Sequence, residues 1–238
     1  MRRAIVILAM GLGLLVSIGC GKQSAPNGLI VLHPPSETPP TQNSPDGALR
    51  LLEWSYVRKD LAHYRRPFTA DFRFIFSDLD SNGAVYRDVP WTRDDESISA
   101  MHLFNGGDAD QPAASDIRIT LDRNFSVIPD NRPGRNPDWH VTITTQVLLH
   151  VQLSDGHADD ITGSAKFFLT RGDSALIPDD LGALPDPNVW YIDRWEDFTA
   201  PGSGGMSKES DFPTRVASPS GIKGVGAATW GRLKAVYR

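Results

Sequence analysis

The feature that most constrains the fold is a change of hydrophobic period. From Ile117 onward apolar residues recur at every second position. Ile117, Ile119 and Leu121 form one run; Val141, Ile143, Thr145, Val147, Leu149, Val151 and Leu153 a second; and Ile161, Gly163, Ala165, Phe167 and Leu169 a third. Successive side chains of a strand point to opposite faces, so each run predicts a strand with one face on a core. With residues 190–198 they make four long strands in series. No helix intervenes, which argues for antiparallel pairing. Ser154-Asp155-Gly156-His157 reads as a hairpin turn, and residues 174–188 as a longer surface connection.

The chain before these strands has the signals of helices. Ser44-Pro45-Asp46 supplies an N-cap, a first-turn proline and an acid at the positive end of the helix dipole. Ala48, Leu51, Leu52, Ser55 and Tyr56 then recur at three and four. Asp60 caps a second short helix carrying Leu61 and Tyr64, which ends near Pro67. Phe72, Phe74 and Phe76 alternate with Arg73 and Ile75 as a first strand. Thr92 before Arg93-Asp94-Asp95-Glu96 starts a third helix, which runs through Ile98, Met101 and Leu103 to Gly106-Gly107.

Two short helices, the run Tyr64-Arg65-Arg66-Pro67-Phe68-Thr69-Ala70-Asp71-Phe72, a third helix and the closing strand Trp190-Tyr191-Ile192-Asp193-Arg194-Trp195 resemble the NTF2-like superfamily, above all its SnoaL-like branch. The resemblance covers about residues 44–199. It implies an α+β cone, a curved antiparallel sheet wrapped around the N-terminal helices with a cavity at the open end. Isomerases, cyclases, hydrolases and non-catalytic binding or assembly modules share such a cone, so fold alone does not give function. Under this resemblance Tyr56, Trp91, His102, Arg194 and Glu196 line the cavity. His102 and Glu196 are then the candidate bases, since proton abstraction needs a group that titrates near the working pH, with Arg194 orienting a substrate. Tyr56, Trp91 and Arg194 are the candidate ligand-binding residues. Strand alternation puts Arg194 and Glu196 on one face and Asp193, Trp195 and Asp197 on the other, where a cross-strand ion pair is the simpler reading. The paired acids and tyrosine of the isomerase branch are not found, nor the acid-arginine-acid set of the epoxide-hydrolase branch. The leading expectation is therefore a non-enzymatic binding or assembly module, and a small-molecule isomerase, cyclase or hydrolase is the alternative.

At the N-terminus Arg2-Arg3, an apolar run over residues 4–18 and Gly19-Cys20 resemble a bacterial lipoprotein export signal, with Ser17 where leucine is usual. The resemblance implies a signal peptide at residues 1–19 and lipid attachment at Cys20, whose several acyl chains would hold the protein on a membrane. Cys20 is the only cysteine, which excludes an intramolecular disulfide. Residues 20–44 read as a Pro- and Ser-rich tether reaching about 27 Å as a coil and up to about 75 Å if extended. Within it, Leu29-Ile30-Val31-Leu32 reads as a sticky patch or an added edge strand. Gly21 in place of aspartate points to the periplasmic face of the outer membrane. The folded domain is expected at residues 45–199, and residues 200–238 as a flexible tail. Its last piece is a short helix, in which Trp230, Leu233 and Tyr237 share a face as a docked tail or a partner-binding peptide.

The formal charge of −5 becomes −7 when Arg2 and Arg3 are removed, so no nucleic-acid partner is expected. Asp78-Leu79-Asp80-Ser81-Asn82-Gly83 matches the first half of a calcium loop, but Val89 stands at the twelfth position, and an Asn82-Gly83 turn explains the same residues. His150 and His157 with Asp155, Asp159 and Asp160 read as a polar hairpin turn. No metal and no cofactor is expected, and neither a Gly-rich phosphate loop nor a Gly-x-Ser-x-Gly nucleophile motif is found. The expected partners are the membrane through Cys20, a small apolar ligand or envelope protein, and a second copy paired through the sheet.

Overall fold

The computed structural model describes residues 37–78, 80, 83–108, 110–172, 176–182, 186–198 and 229–238. Cys20, the signal, the Leu29-Ile30-Val31-Leu32 patch and residues 201–226 lie outside the described residues, as do Leu79, Ser81 and Asn82 of the acidic loop.

Helix α1, Pro45–Arg58, starts where Ser44 Oγ accepts from the Gly47 amide at 2.9 Å and stops at Lys59, which takes a left-handed φ of 54°. Helix α2, Leu61–Tyr64, is capped by Asp60, whose carboxylate accepts from the His63 amide at 3.0 Å. Helix α3, Arg93–Asn105, opens with a reciprocal capping box. Thr92 Oγ1 accepts from the Asp95 amide while the Asp95 carboxylate accepts from the Thr92 amide. It ends at Gly106, whose φ of 90° a side chain would resist. These starts and stops follow the cap signals of the sequence.

The strands are β1 (Phe68–Ile75), β2 (Trp91–Thr92), β3 (Ala114–Leu121), β4 (Val127–Pro129), β5 (His140–Leu153), β6 (Ala158–Arg171) and β7 (Trp190–Asp197). They form one curved sheet in the order β2-β1-β7-β6-β5-β3, with β4 also on β5. β5 and β6 are joined by a hairpin turn at Ser154–His157, where Gly156 has a φ of 92°, and pair in continuous register from His140↔Thr170 to Gln152↔Ala158. The sheet is mixed rather than wholly antiparallel. β7 returns between β6 and β1, antiparallel to the first and parallel to the second. Pairing between strands so far apart in the chain is not written in local alternation.

The inner face collects the odd-numbered residues of β5 (Ile143, Val147, Leu149, Val151), with Phe167 and Leu169 of β6, Ile192 and Trp195 of β7, and Phe72 and Phe74 of β1. Helix α1 lays Ala48, Leu49, Leu52 and Tyr56 against them. Full burial of one such large apolar side chain contributes roughly 1.5–3 kcal/mol, so this interior outweighs the surface pairs. The architecture is α+β, a curved mixed sheet that closes over its helices as a cone.

Two boundaries differ from the sequence reading. Gln42, inside the expected tether, exchanges hydrogen bonds with Trp190, its carbonyl accepting at 2.8 Å and its side-chain amide donating at 2.9 Å. At the other end helix α4, Trp230–Val236, is the docked tail of the two alternatives, with Trp230, Leu233 and Tyr237 all buried in the core. A domain closed at residue 199 leaves out part of its own core.

Candidate functional site

The centre of the cone holds a buried carboxylate. Asp95 is occupied by the capping box, and the next residue, Glu96, points inward and is 1% exposed. One of its oxygens accepts from the Tyr64 hydroxyl of α2 and from the Lys234 ammonium of α4; the other accepts from Trp91 Nε1 of β2 at 2.9 Å. Four elements thus converge on one acid. A carboxylate away from water requires partners of this kind, because its desolvation is costly unless it is paired and hydrogen-bonded.

Lys234 is enclosed in turn. Its Nζ lies 4.2 Å from the Trp195 ring centroid, 4.8 Å from that of Phe74 and 5.5 Å from that of Trp230, so three aromatic rings and Glu96 surround the cation. Burial lowers the Lys234 pKa, and the Glu96 and Asp197 carboxylates oppose that shift. Burial raises the Tyr64 hydroxyl well above its ordinary value, and the Glu96 charge adds to it. Tyr56 is raised by burial too, against a lowering hydrogen bond in which Trp230 Nε1 donates to its oxygen at 3.4 Å. Both tyrosines are therefore neutral donors or acceptors at physiological pH. Glu96 cannot act as an open base while Lys234 sits on it.

The chain itself fixes the α4 position. The Gly231 amide donates to Asp197 Oδ2 at 3.0 Å, and a Cβ added to Gly231 would stand 2.5 Å from Asp80 Oδ2 and 2.8 Å from a Phe76 ring carbon. The last carbonyls of a helix lack partners within it. Here those of Lys234, Val236 and Tyr237 accept from Ser99 Oγ at 3.1 Å, Gln111 Nε2 at 2.6 Å and His102 Nδ1 at 3.0 Å. Because a carbonyl only accepts, His102 must carry its proton on Nδ1. Arg238 closes the end on Asp95 at 2.7 Å.

Of the residues singled out in the sequence, Tyr56 and Trp91 are both buried in the core, Trp91 on Glu96 and Tyr56 against Tyr64 and Trp230. His102 does not reach them, being half-buried and holding the tail's carbonyl. Arg194 and Glu196 pair with each other at 2.6 Å on the face opposite Trp195, so the three candidate catalytic residues do not converge. Asp193 leaves the alternation because the register of β6 with β7 shifts between Phe168 and Leu169. It is held at 3.2 Å by Arg132 and at 2.7 Å by Arg135, in a cleft of about 270 Å³ that Arg194 also lines. Every arginine there except Arg73 has a carboxylate partner, which makes a neutralised network. His150 pairs with Asp160 at 2.7 Å and His157 with Asp159 at 3.4 Å, and no group of three or more metal-ligating side chains is found among the described residues.

Sequence reasoning missed Glu96, Tyr64 and Lys234 as site residues. A usable signal was present for the first: Glu96, Ala100 and Leu103 are spaced as i, i+4 and i+7, so a charge stands on the buried stripe of α3. Nothing comparable marks Lys234.

No protein-family model matches the sequence, and no curated protein does either. Solved structures similar to the chain include an NTF2-like superfamily protein from Salmonella enterica (12% identity, 68% of this chain and 92% of that one, TM-score 0.41). A putative scytalone dehydratase from Novosphingobium aromaticivorans (11%, 75% and 92%, 0.45) and a conserved protein from Planctomyces limnophilus (12%, 65% and 92%, 0.44) are also similar. The likeness is one of fold.

Proposed function

We propose that this chain is a lipid-anchored module of the bacterial cell envelope that binds or assembles rather than catalyses, placed by Cys20 on the periplasmic face of the outer membrane. The observation that carries the non-catalytic part is the occupancy of the cone. The space that would receive a substrate holds Trp230, Leu233, Lys234 and Tyr237 of the same chain, and Glu96, the buried carboxylate at its centre, is paired with Lys234. The anchor rests on the Arg2-Arg3, apolar-run and Gly19-Cys20 pattern. A second reading, a small-molecule isomerase, cyclase or hydrolase, draws on the Glu96 carboxylate beside the Tyr64 hydroxyl, and it requires α4 to leave first.

The test uses wild-type chain and Cys20→Ser expressed in a bacterial host with a clickable palmitate. The expected result is a labelled wild type that fractionates with outer membrane and an unlabelled variant that does not. An unlabelled wild type would end the anchored reading.

A further inference from the structure

We propose that the cone is a receptor site for an alkylammonium group carried next to an aromatic ring, and that Lys234 with Trp230 is its occupant supplied in cis. The proposal deepens the reading of this chain as a binding module and does not depend on the lipid anchor.

Two halves of different origin meet at this point. The receiving half belongs to the domain: Glu96, with one oxygen fixed by Tyr64 and the other by Trp91 at 2.9 Å, below the Phe74 and Trp195 rings. None of these hydrogen bonds needs the tail. The arriving half, residues 229–238, follows β7 after some thirty residues and pairs with no strand. It is secured by the burial of Trp230, Leu233 and Tyr237, by hydrogen bonds from α3 and its following loop to terminal carbonyls, by Asp197 at its start and by Asp95 at its end, and by no ladder hydrogen bond to a strand. Such an attachment can release without breaking the sheet.

The chemistry of the contact also exceeds what filling a core requires. A methionine or leucine at position 234 would bury as much apolar surface without desolvating a charge, and apolar replacements of buried ion pairs are often neutral or stabilising. A carboxylate ringed by aromatic faces is the usual means of selecting an ammonium ion, through cation–π attraction on its sides and one charge at its end. Trp230, stacked edge to face on Trp195 with ring centroids 4.1 Å apart, fills the adjoining space. The ligand class follows from that pair: a primary amine linked by a short chain to an aromatic ring.

The experiment has two arms, both on the full chain. Lys234→Ala removes three carbons and a nitrogen, the number that n-propylammonium supplies. That salt is expected to raise the melting temperature of the variant saturably by about 5 °C or more, or to be required for its refolding. Sodium chloride and 1-propanol are not expected to do so, and Glu96→Gln on the same background is expected to abolish the effect. In the second arm 2-phenylethylammonium is added to wild type and amide hydrogen exchange is followed. Faster exchange at Leu233 and Tyr237 with unchanged protection in β5 and β6 is expected as the ligand displaces α4. Rescue by propanol as good as by the ammonium, no rescue at all, or α4 amides indifferent to 2-phenylethylammonium would each overturn the proposal. None of these outcomes bears on lipid attachment, which the palmitate label reads separately.

Discussion

The inner and outer faces of β7 carry the same chemistry with opposite consequences. On the inner side Lys234 meets Glu96 with both side chains at most 2% exposed; on the outer side Arg194 meets Glu196 with the arginine side chain 36% exposed. Water screens the outer pair, so its net contribution falls in the range of about 0–1 kcal/mol. The inner pair is shielded from water, and loss of either partner strands the other. The comparison teaches that the distance between opposite charges says little about what a pair does until its burial is known. Sequence alternation identified the exposed pair as a candidate site and passed over the buried one.

The broadest way to separate the faces is alkaline titration, since the interior alone holds Tyr56 and Tyr64. Both have folded pKa values raised above the ordinary 10, so the stability they contribute is present below pH 10 and is lost as pH rises through their folded values. Lys234 acts oppositely. Its lowered pKa makes stability rise with pH only up to 10.5, where the unfolded lysine also deprotonates. Beyond that only the tyrosine effect remains, and the chain is expected to unfold cooperatively as the buried phenols ionise. Absorbance near 295 nm and far-ultraviolet circular dichroism should change together; phenols that titrate fully in a folded chain would place Tyr56 and Tyr64 at the surface.

Among substitutions, Lys234→Ala should cost about 3–5 kcal/mol in urea unfolding, because Glu96 is left buried and unpaired. Trp230→Ala should cost a similar or slightly smaller amount, about 3–5 kcal/mol, by emptying the space between Trp195 and Tyr56. If α4 were peripheral, both changes would fall below about 0.5 kcal/mol, as surface substitutions do. Thr92→Ala should cost about 0.5–2 kcal/mol through the lost cap of α3, the element that aims Glu96. Arg194→Ala should change stability by about 1 kcal/mol or less. A larger loss there would mean that the outer network around Asp193 is coupled more strongly than its exposure suggests.

What the sequence made legible is what short range determines. Ser44, Asp60, Thr92 and Gly106 act as the caps and stops that their types and positions predicted, and the odd-numbered residues of β5 face the core. Long-range facts were not legible. The parallel pairing of β1 with β7 joins segments more than a hundred residues apart, as Phe74↔Trp195 shows. The shift at Asp193 follows from one unpaired residue that alternation cannot reveal. Glu96 was absorbed into a helix-start run of acids, though its place on the buried stripe sets it apart from Asp94 and Asp95. Lys234 gave no sign, since its burial depends on a segment that returns to the cone from beyond the last strand.

The central claim is that Glu96 and Lys234 form one buried unit joining the C-terminal helix to the cone. A double-mutant cycle tests it most directly, with Glu96→Gln, Lys234→Met and the double variant unfolded in urea under the same conditions. The account predicts that each single change is costly and that the double variant is more stable than their sum by about 2 kcal/mol or more, since the second change removes the charge that the first leaves stranded. Additive costs would contradict it and would separate the tail from the carboxylate at the centre of the cone.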